Sequence, residues 1–310
     1  MIIPYVSIVV PVYNEEKTLQ PLMDRLYPVM SGLGCPFEII FTNDGSQDLS
    51  QEILRGYVQR YPGVKVVEFN GNFGQHMAIL AAFELSTGEI VITLDADLQN
   101  PPEEIPRMIA EIKKGHDIVG TIRDKRRDPL LRRVASRIVN LTSNRMTGMR
   151  MSDCGCMLRA YHRNIINNIN KCGESSTFIP ALAQTFSSNA TEIVVGHAER
   201  TLGESKYSFY RLIRLNFDLI TGFSVVPLQL FALLGIITSL LTVGFALFLL
   251  FRRFIIGAEV EGIFTLFAIL FFFIGIIIFG IGIVGEYVGR IYQEVRRRPR
   301  YVVKRTHGFE

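Results

Sequence analysis

Glu89-Ile90-Val91-Ile92-Thr93-Leu94-Asp95-Ala96-Asp97 is the stretch that decides how the chain folds. Ile90–Leu94 is a short, uninterrupted run of apolar and β-branched residues, the pattern of a strand buried on both faces. Two acids follow it at once, so the strand ends on charge. The same design recurs upstream. Val6–Val12 is a β-branched run, and after it Glu15–Leu33 sets Leu19, Leu22, Met23, Leu26, Met30 and Leu33 at helical spacing. Phe37–Thr42 reads as a strand stopped by the turn residues Asn43-Asp44-Gly45-Ser46. A helix through Ile53, Leu54, Tyr57 and Val58 leads to the strand Val64–Phe69, and Gly74–Ser86 is helical again. Downstream, Pro101-Pro102 opens a further helix, and Asp117–Thr121 is the next strand.

Strands alternating with helices predict an α/β fold, with a mostly parallel, doubly wound sheet covered by helices on both faces. Such sheets bind ligands at the carboxyl ends of their strands. The polar runs Tyr13-Asn14-Glu15, Asn43-Asp44-Gly45-Ser46, Asn70-Gly71-Asn72 and Asp95-Ala96-Asp97 all fall there. Neither Gly-x-Gly-x-x-Gly nor Gly-x-x-x-x-Gly-Lys occurs, which argues against a dinucleotide coenzyme or a P-loop.

The later part of the 310-residue chain differs in kind. Leu228–Phe251 and Ile263–Gly285 contain no Asp, Glu, Lys or Arg. Each exceeds the roughly 20 residues needed to cross a hydrocarbon core of about 30 Å. A pair of buried core helices is the other reading, but charge-free runs of this length suit lipid better. The expected organisation is a globular domain over residues 1–206, an interfacial helix over 207–226 and two spans within 227–285. A basic tail over 286–310 completes it.

The first residues lack the basic flank of a signal peptide, and Pro4 and Pro11 interrupt them. Arg290, Arg296, Arg297, Arg298, Arg300, Lys304 and Arg305 follow the second span, whereas Arg252 and Arg253 between the spans are balanced by Glu259 and Glu261. The positive-inside rule then puts the globular domain and both termini in the cytoplasm. The four cysteines fit a reducing compartment, and Cys154-x-Cys156 has no second pair to complete a zinc site. A net charge of +4, with the basic residues gathered near the spans, suits anionic lipid headgroups rather than nucleic acid. Gly275, Gly280, Gly282 and Gly285 suit close helix approach, including between subunits.

Two carboxylates one residue apart at a strand end reach a hard cation or its water shell. Mg²⁺ and Mn²⁺ favour such oxygen ligands together with substrate phosphates. Gln99 stands two residues beyond Asp97 and can add an amide oxygen. An ordinary solvated turn gives the same two acids; their position before Gln99-Asn100-Pro101-Pro102 favours the metal.

Pro11-Val12-Tyr13-Asn14-Glu15, Asn43-Asp44-Gly45-Ser46 and Asp95-Ala96-Asp97-Leu98-Gln99 together resemble the nucleotide-sugar site of family 2 glycosyltransferases. Leu98-Gln99-Asn100-Pro101-Pro102-Glu103, with Gly285-Glu286-Tyr287-Val288-Gly289-Arg290-Ile291-Tyr292, is similar to the polyprenyl-phosphate branch of that family. Four further runs narrow the likeness to members that handle 4-deoxy-4-formamido-L-arabinose. They are Gly74-Gln75-His76, Asp153-Cys154-Gly155-Cys156-Met157-Leu158-Arg159-Ala160-Tyr161, Ser176-Thr177-Phe178-Ile179-Pro180 and Gly203-Glu204-Ser205-Lys206-Tyr207-Ser208-Phe209.

The resemblance implies a GT-A-type fold, a UDP-sugar donor, undecaprenyl phosphate as acceptor and a Mg²⁺ or Mn²⁺ cofactor. It further implies a bacterial inner-membrane enzyme that inverts the sugar and feeds lipid A modification and resistance to cationic peptides. A homo-oligomer, up to a tetramer, is expected. Polyprenyl-phosphate transfer of a hexose and a non-catalytic nucleotide-sugar-binding adaptor are the alternatives.

Carried over residue by residue, Pro11, Tyr13, Glu15, Asp44, Asp95 and Ala96 would frame the nucleotide sugar. Tyr13 would stack on the base, Glu15 accept ribose hydroxyls and Asp44 accept the uracil N–H. Asp97, Gln99 and Asp95 would hold the metal, and Arg123, following the last strand, would meet phosphate. Arg132, Arg137, Arg200, Ser205 and Lys206 would gather the acceptor phosphate; a solvated basic face is the other reading of Arg132 and Arg133. Asp153 would act as base or orient the acceptor. Glu15 also fits a helix N-terminal acid, and Asp44 an Asx turn. His76 is read beside the cleft, touching donor or diphosphate, or as structural; His197 reads as catalytic or as structural.

Overall fold

The computed structural model describes residues 4–123, 156–172, 178–196, 225–256, 263–296 and 298–309. The chain divides into two compact units, residues 1–209 with 298–310 and residues 210–297.

In the first unit, β1 (Val6–Val12), β2 (Phe37–Asn43), β3 (Val64–Phe69) and β4 (Ile90–Thr93) are parallel neighbours. They alternate with α1 (Leu19–Gly32), α2 (Ser50–Arg60) and α3 (Gln75–Leu85). A 3₁₀ turn at Pro102–Glu104 leads into α4 (Ile105–Lys113), and β5 (Ile118–Arg123) follows. Then come β6 (Arg159–His162), α5 (Arg163–Lys171), α6 (Ile179–Thr185) and β7 (Ala190–Val195). With β8 (Val303–His307) the sheet order is β7-β5-β6-β4-β1-β2-β3-β8. β6 runs antiparallel to both β4 and β5, and β7 is parallel to β5.

The sheet is a covered layer, as its sequence pattern predicts. Val6, Ile8, Val10 and Val12 share one buried cluster with α1, α2 and α4 through Leu22, Leu26, Leu54, Tyr57 and Met108. Residues of the other parity, such as Val9 and Ile40, are equally buried. On α3, Met77 to Phe83 are buried without a break, and Phe83 meets Tyr161 of β6 edge-on at 5.7 Å. Helices therefore cover both faces, which is why β1 is apolar at almost every position rather than at every second one.

One correction concerns the C-terminal part. The stretch 286–310 is not simply a basic tail: its beginning is helix, and Val303–His307 is an edge strand antiparallel to β3. A strand as charged as Val-Lys-Arg-Thr-His reads as tail because edge strands carry charge to discourage further pairing. Tyr301 stacks on Phe69 with ring centres 5.0 Å apart. His307 Nε2 lies 3.1 Å from Glu68 Oε1, a carboxylate 1% exposed that also accepts from Arg55 and Gln51. Gly308 turns the chain at φ +78°, where a β-carbon would stand 2.8 Å from the Val64 carbonyl oxygen. Deleting residues 303–310 leaves Glu68 short of a donor, at about 2 kcal/mol. That is expected to lower the unfolding temperature by roughly 4–8 °C; an unchanged midpoint would show that β8 adds nothing to the sheet.

The expected spans, 228–251 and 263–285, fall within two long helices. In the second unit, α7 (Val226–Ile256) and α8 (Ile263–Val295) are 31 and 33 residues long. Phe231 of α7 meets Phe279 of α8 at 6.2 Å and lies over Gly280. Among the described residues, the α8 segment Phe272–Tyr292 is long and apolar enough to cross a membrane. Glu286 and Arg290 pair at 2.8 Å one turn apart, so the helix carries past its first charges. Among the described residues, α7 carries the apolar segment Val226–Thr242. Of the expected loop over 252–262, residues 252–256 belong to α7; residues 257–262 and most of the interfacial helix at 207–226 lie outside the described residues.

Charge inside the first unit sets its acid response. Glu38 is 1% exposed; burial pushes its pKa up, but hydrogen bonds from Lys65, Ser7 and the Thr87 N–H prevail and hold it below the usual 4.5. Glu68 is likewise held down, against burial, by Arg55 and His307. A depressed carboxylate adds stability that is complete above its unfolded pKa and is lost as pH falls through the folded value. The unfolding temperature is therefore expected to hold from pH 7 to about 5 and to fall below about 4.5. Glu38→Gln should flatten that fall; an identical acid profile in the variant would count against this account.

Candidate functional site

β1 lies between β4 and β2, so the connection from β3 passes over β1 and the strand order reverses between β1 and β4. A crevice opens at such a point, outside the carboxyl ends of the two strands. The loops lining it are Tyr13–Glu15 and Asp95–Gln99. Pro11 is tolerated inside this central strand because β4 pairs with β1 only as far as Val9↔Thr93, leaving no ladder bond for the missing N–H to make.

The β1 loop is fixed from below. Asn14 takes φ +57°; its N–H donates to Ser46 Oγ at 3.0 Å, and its side-chain oxygen accepts from the Gln47 N–H at 2.8 Å. The Glu15 N–H donates to Ser50 Oγ at 3.0 Å, and Glu15 Oε2 accepts from the Thr18 hydroxyl at 2.8 Å. Glu15 also receives the N–H groups of Thr18 and Leu19 on its carbonyl, the position of an acid ahead of a helix N-terminus. Tyr13 keeps 39% of its surface exposed, enough for one ring face to be open.

Asp44 differs from the surface acid of an ordinary Asx turn. It is 3% exposed, with Oδ1 accepting the Phe73 N–H at 2.7 Å and Oδ2 the Gly74 N–H at 2.9 Å. It thus braces the loop after β2 against the loop after β3. Burial raises its pKa above the usual 3.8, only partly offset by those two N–H groups. Next to it Gly45 has φ +71°, and a β-carbon there would lie 2.5 Å from the Gly71 carbonyl carbon. No side chain fits between the two loops.

At the end of β4, Leu94 and Ala96 are buried while Asp95, Asp97 and Gln99 are partly exposed. The Gln99 N–H donates to Asp97 Oδ1 at 3.1 Å, closing a turn through Leu98 at φ +64°. A left-handed leucine costs about 1–2 kcal/mol, so the surroundings must impose this turn. Gln75, at the start of α3, donates its amide to Asp95 Oδ1 at 2.7 Å. The run Gly74-Gln75-His76 does not by itself reveal this partner, because Gln75 and Asp95 stand on separate loops.

His76 follows, its ring edge-on to Phe178 at 5.3 Å. Burial lowers its pKa to about 4, so it is neutral near pH 7 and brings no positive charge. Its Nδ1 has no hydrogen-bond partner among the described residues.

The donor set at this loop is all oxygen. Among the described residues no group of three or more His, Cys, Asp or Glu side chains could hold an ion unaided. The carboxylates of Asp95 and Asp97 and the amide oxygen of Gln99 are donors of the kind a hard divalent cation takes together with ligand phosphates and water. Arg123 is the last residue of β5, opposite Val195 of β7; it does not follow the sheet's final strand, since β6, β7 and β8 come later. Its side chain, together with Arg132, Arg133, Arg137, Asp153, His197, Arg200, Ser205 and Lys206, lies outside the described residues.

Comparison with known proteins adds to this geometry. The family model described as glycosyl transferase family 2 matches residues 7–169. The undecaprenyl-phosphate 4-deoxy-4-formamido-L-arabinose transferase of Pseudomonas paraeruginosa is 51% identical over 98% of this chain and 91% of its own. The protein of that name from Pectobacterium atrosepticum is 49% identical over 97% of this chain and 93% of its own. Among solved structures, glucosyl-3-phosphoglycerate synthase of Mycobacterium tuberculosis, in complex with Mn²⁺, UDP and phosphoglyceric acid, is similar with a TM-score of 0.54. Its identity is 18%, covering 70% of this chain and 76% of that one, which shows a shared fold.

Proposed function

The chain belongs to glycosyl transferase family 2, and from that membership we propose that it transfers 4-deoxy-4-formamido-L-arabinose from UDP to undecaprenyl phosphate. One observation carries the choice of sugar and carrier: identity of 49–51% to transferases of that name extends over 97–98% of the chain.

In this reading UDP lies in the crevice between β1 and β4. Tyr13 stacks on the base, Pro11 and Ala96 frame it, Glu15 takes ribose hydroxyls, and Asp44 braces the loops while accepting the uracil N–H with its remaining lone pairs. Asp97, Gln99 and Asp95 hold Mg²⁺ or Mn²⁺. Support comes from the oxygen donor set and from the Mn²⁺ and UDP bound together by a protein of the same fold. When bound, the ion would offset the negative charge gathering on the diphosphate as it leaves.

An anionic oxygen of the carrier phosphate attacks the anomeric carbon from the face opposite UDP. A C–O bond forms as the bond to UDP breaks, the electron pair leaves with UDP, and the configuration inverts. The acceptor is already ionised, so the task left to Arg123, Arg132, Arg137, Arg200, Ser205 and Lys206 is to draw two anions together and hold them in line. Asp153 orients the acceptor or serves as base. The apolar helices hold the protein at the inner membrane beside its lipid substrate, with the catalytic unit cytoplasmic, and the product feeds lipid A modification. Assembly into homo-oligomers belongs to the same proposal.

A panel of UDP-sugars offered with undecaprenyl phosphate to the purified protein, with and without Mn²⁺ or Mg²⁺, tests this reading. The formamido-pentose is expected to be transferred at least about a hundredfold faster than glucose, galactose or mannose, because a site built to hydrogen-bond a polar substituent rejects analogues lacking it. Preference for a hexose would move the protein to hexosyl transfer.

A further inference from the structure

Behind the Asp95–Gln99 loop lies a buried polar cluster that the transfer reading leaves unused. Asn100 is 4% exposed and Cys156 2%. Cys156 Sγ lies 3.4 Å from Asn100 Oδ1 and 2.9 Å from Thr121 Oγ1. The Thr121 hydroxyl donates to the Leu158 carbonyl at 2.8 Å, so toward Cys156 it acts as acceptor. The single S–H proton of Cys156 is then shared between the Thr121 oxygen and the Asn100 amide oxygen.

The backbone around Cys156 is equally tied. The Thr93 hydroxyl donates to the Met157 carbonyl at 2.5 Å, and Arg159 Nε donates to the Cys156 carbonyl at 2.9 Å. The segment leading into β6 is thereby pinned to β4, to β5 and, through Asn100, to the end of the turn that carries Asp97 and Gln99. That turn contains the left-handed Leu98, a conformation that persists only where its surroundings over-determine it.

We propose that Cys156 is a positioning residue: through Asn100 its thiol holds the Asp97-Leu98-Gln99 turn in the shape that receives the divalent ion. The inference rests on the reading of Asp97 and Gln99 as ion ligands. It assigns to the second cysteine of Cys154-x-Cys156 a purpose other than binding metal itself.

Titration of the full-length protein with Mn²⁺ in the presence of UDP, followed by electron paramagnetic resonance, tests it without relying on turnover. Cys156→Ala is expected to raise the Mn²⁺ concentration for half-saturation about tenfold, the effect of one lost hydrogen bond. Cys156→Ser, which keeps a donor, should return to within about threefold of the unaltered protein. Asn100→Ala should match Cys156→Ala, and the double variant should bind no more weakly than the weaker single one, because both remove the same tie. If Cys156→Ala fails to fold, Asn100→Ala decides, since it leaves the thiol its bond to Thr121. Unchanged half-saturation in the folded variants, with only the melting temperature reduced, would overturn the inference while leaving the metal reading intact. Failure of the unaltered protein to bind Mn²⁺ with UDP would overturn the metal reading, and this inference with it.

Discussion

Replacing Asp97 with alanine is expected to lower turnover about a thousandfold or more while the protein still folds. The side chain is partly exposed, and its one hydrogen bond seen within the loop is to the Gln99 N–H. Little packing is lost with it, so the unfolding temperature should shift by no more than a few degrees. The chemistry loses far more. Removing a carboxylate from the donor set deprives the departing diphosphate of several kcal/mol of charge stabilisation, and about 4 kcal/mol corresponds to a thousandfold in rate. Asp97→Asn should recover only part of this, because an amide oxygen is a neutral ligand. Steady-state transfer rates measured across a Mn²⁺ series, with thermal unfolding on the same samples, check the expectation. A variant with normal rates would remove Asp97 from the ion site.

Asp44→Ala is expected to fail in the opposite way, through structure first. Both carboxylate oxygens accept backbone N–H groups across the gap between the β2 and β3 loops, in a site 3% exposed to solvent. Alanine leaves two buried donors without acceptors, at about 1–3 kcal/mol each, so a loss of roughly 2–6 kcal/mol is expected. UDP affinity should fall with it, because the start of α3 and the Gln75–Asp95 contact are hung from the same loop. Asp44→Asn keeps one acceptor and turns an amide N–H toward the other donor, placing it between alanine and the native residue.

The sign of the Asp44 titration is informative. Its raised pKa means that its contribution to stability is complete below 3.8 and declines as pH rises through the folded value. Where Asp44 is ionised, the fold carries its charge at some expense, as is common for functional groups. Thermal unfolding and UDP calorimetry on the two variants separate the effects on structure and on binding. Native stability in Asp44→Ala would contradict the brace.

The legible part of this fold is the part whose pattern is local. Val6–Val12 and Val64–Phe69 announce themselves as β-branched runs, and the strand before Asp95 is β-branched at every position. Their parallel arrangement brings Tyr13, Asp44 and Asp97 to one rim, and that rim was readable because parallel strands share one carboxyl edge. Illegible elements owe their form to distant partners. β6 has four residues, among them a buried arginine, and inserts antiparallel between β4 and β5. β8 is so charged that only the open edge of β3 explains it as a strand. In the site, Asp44 was legible as a residue but not as a brace, since Phe73 and Gly74 reach it from the following strand's loop. Cys156 reads as half of a metal motif and as part of the 153–161 run, and neither reading shows that Asn100 and Thr121 meet it through the sheet.

The most direct test of the central claim is incubation of the purified protein with undecaprenyl phosphate, UDP-linked 4-deoxy-4-formamido-L-arabinose and Mn²⁺, with the extracted lipid read by mass spectrometry. The predicted result is a carrier phosphate heavier by one formamido-pentosyl residue, formed with release of UDP and abolished by a chelator. A lipid fraction left unchanged while the protein still binds UDP would contradict it, and would make the chain a nucleotide-sugar-binding membrane protein without transferase activity.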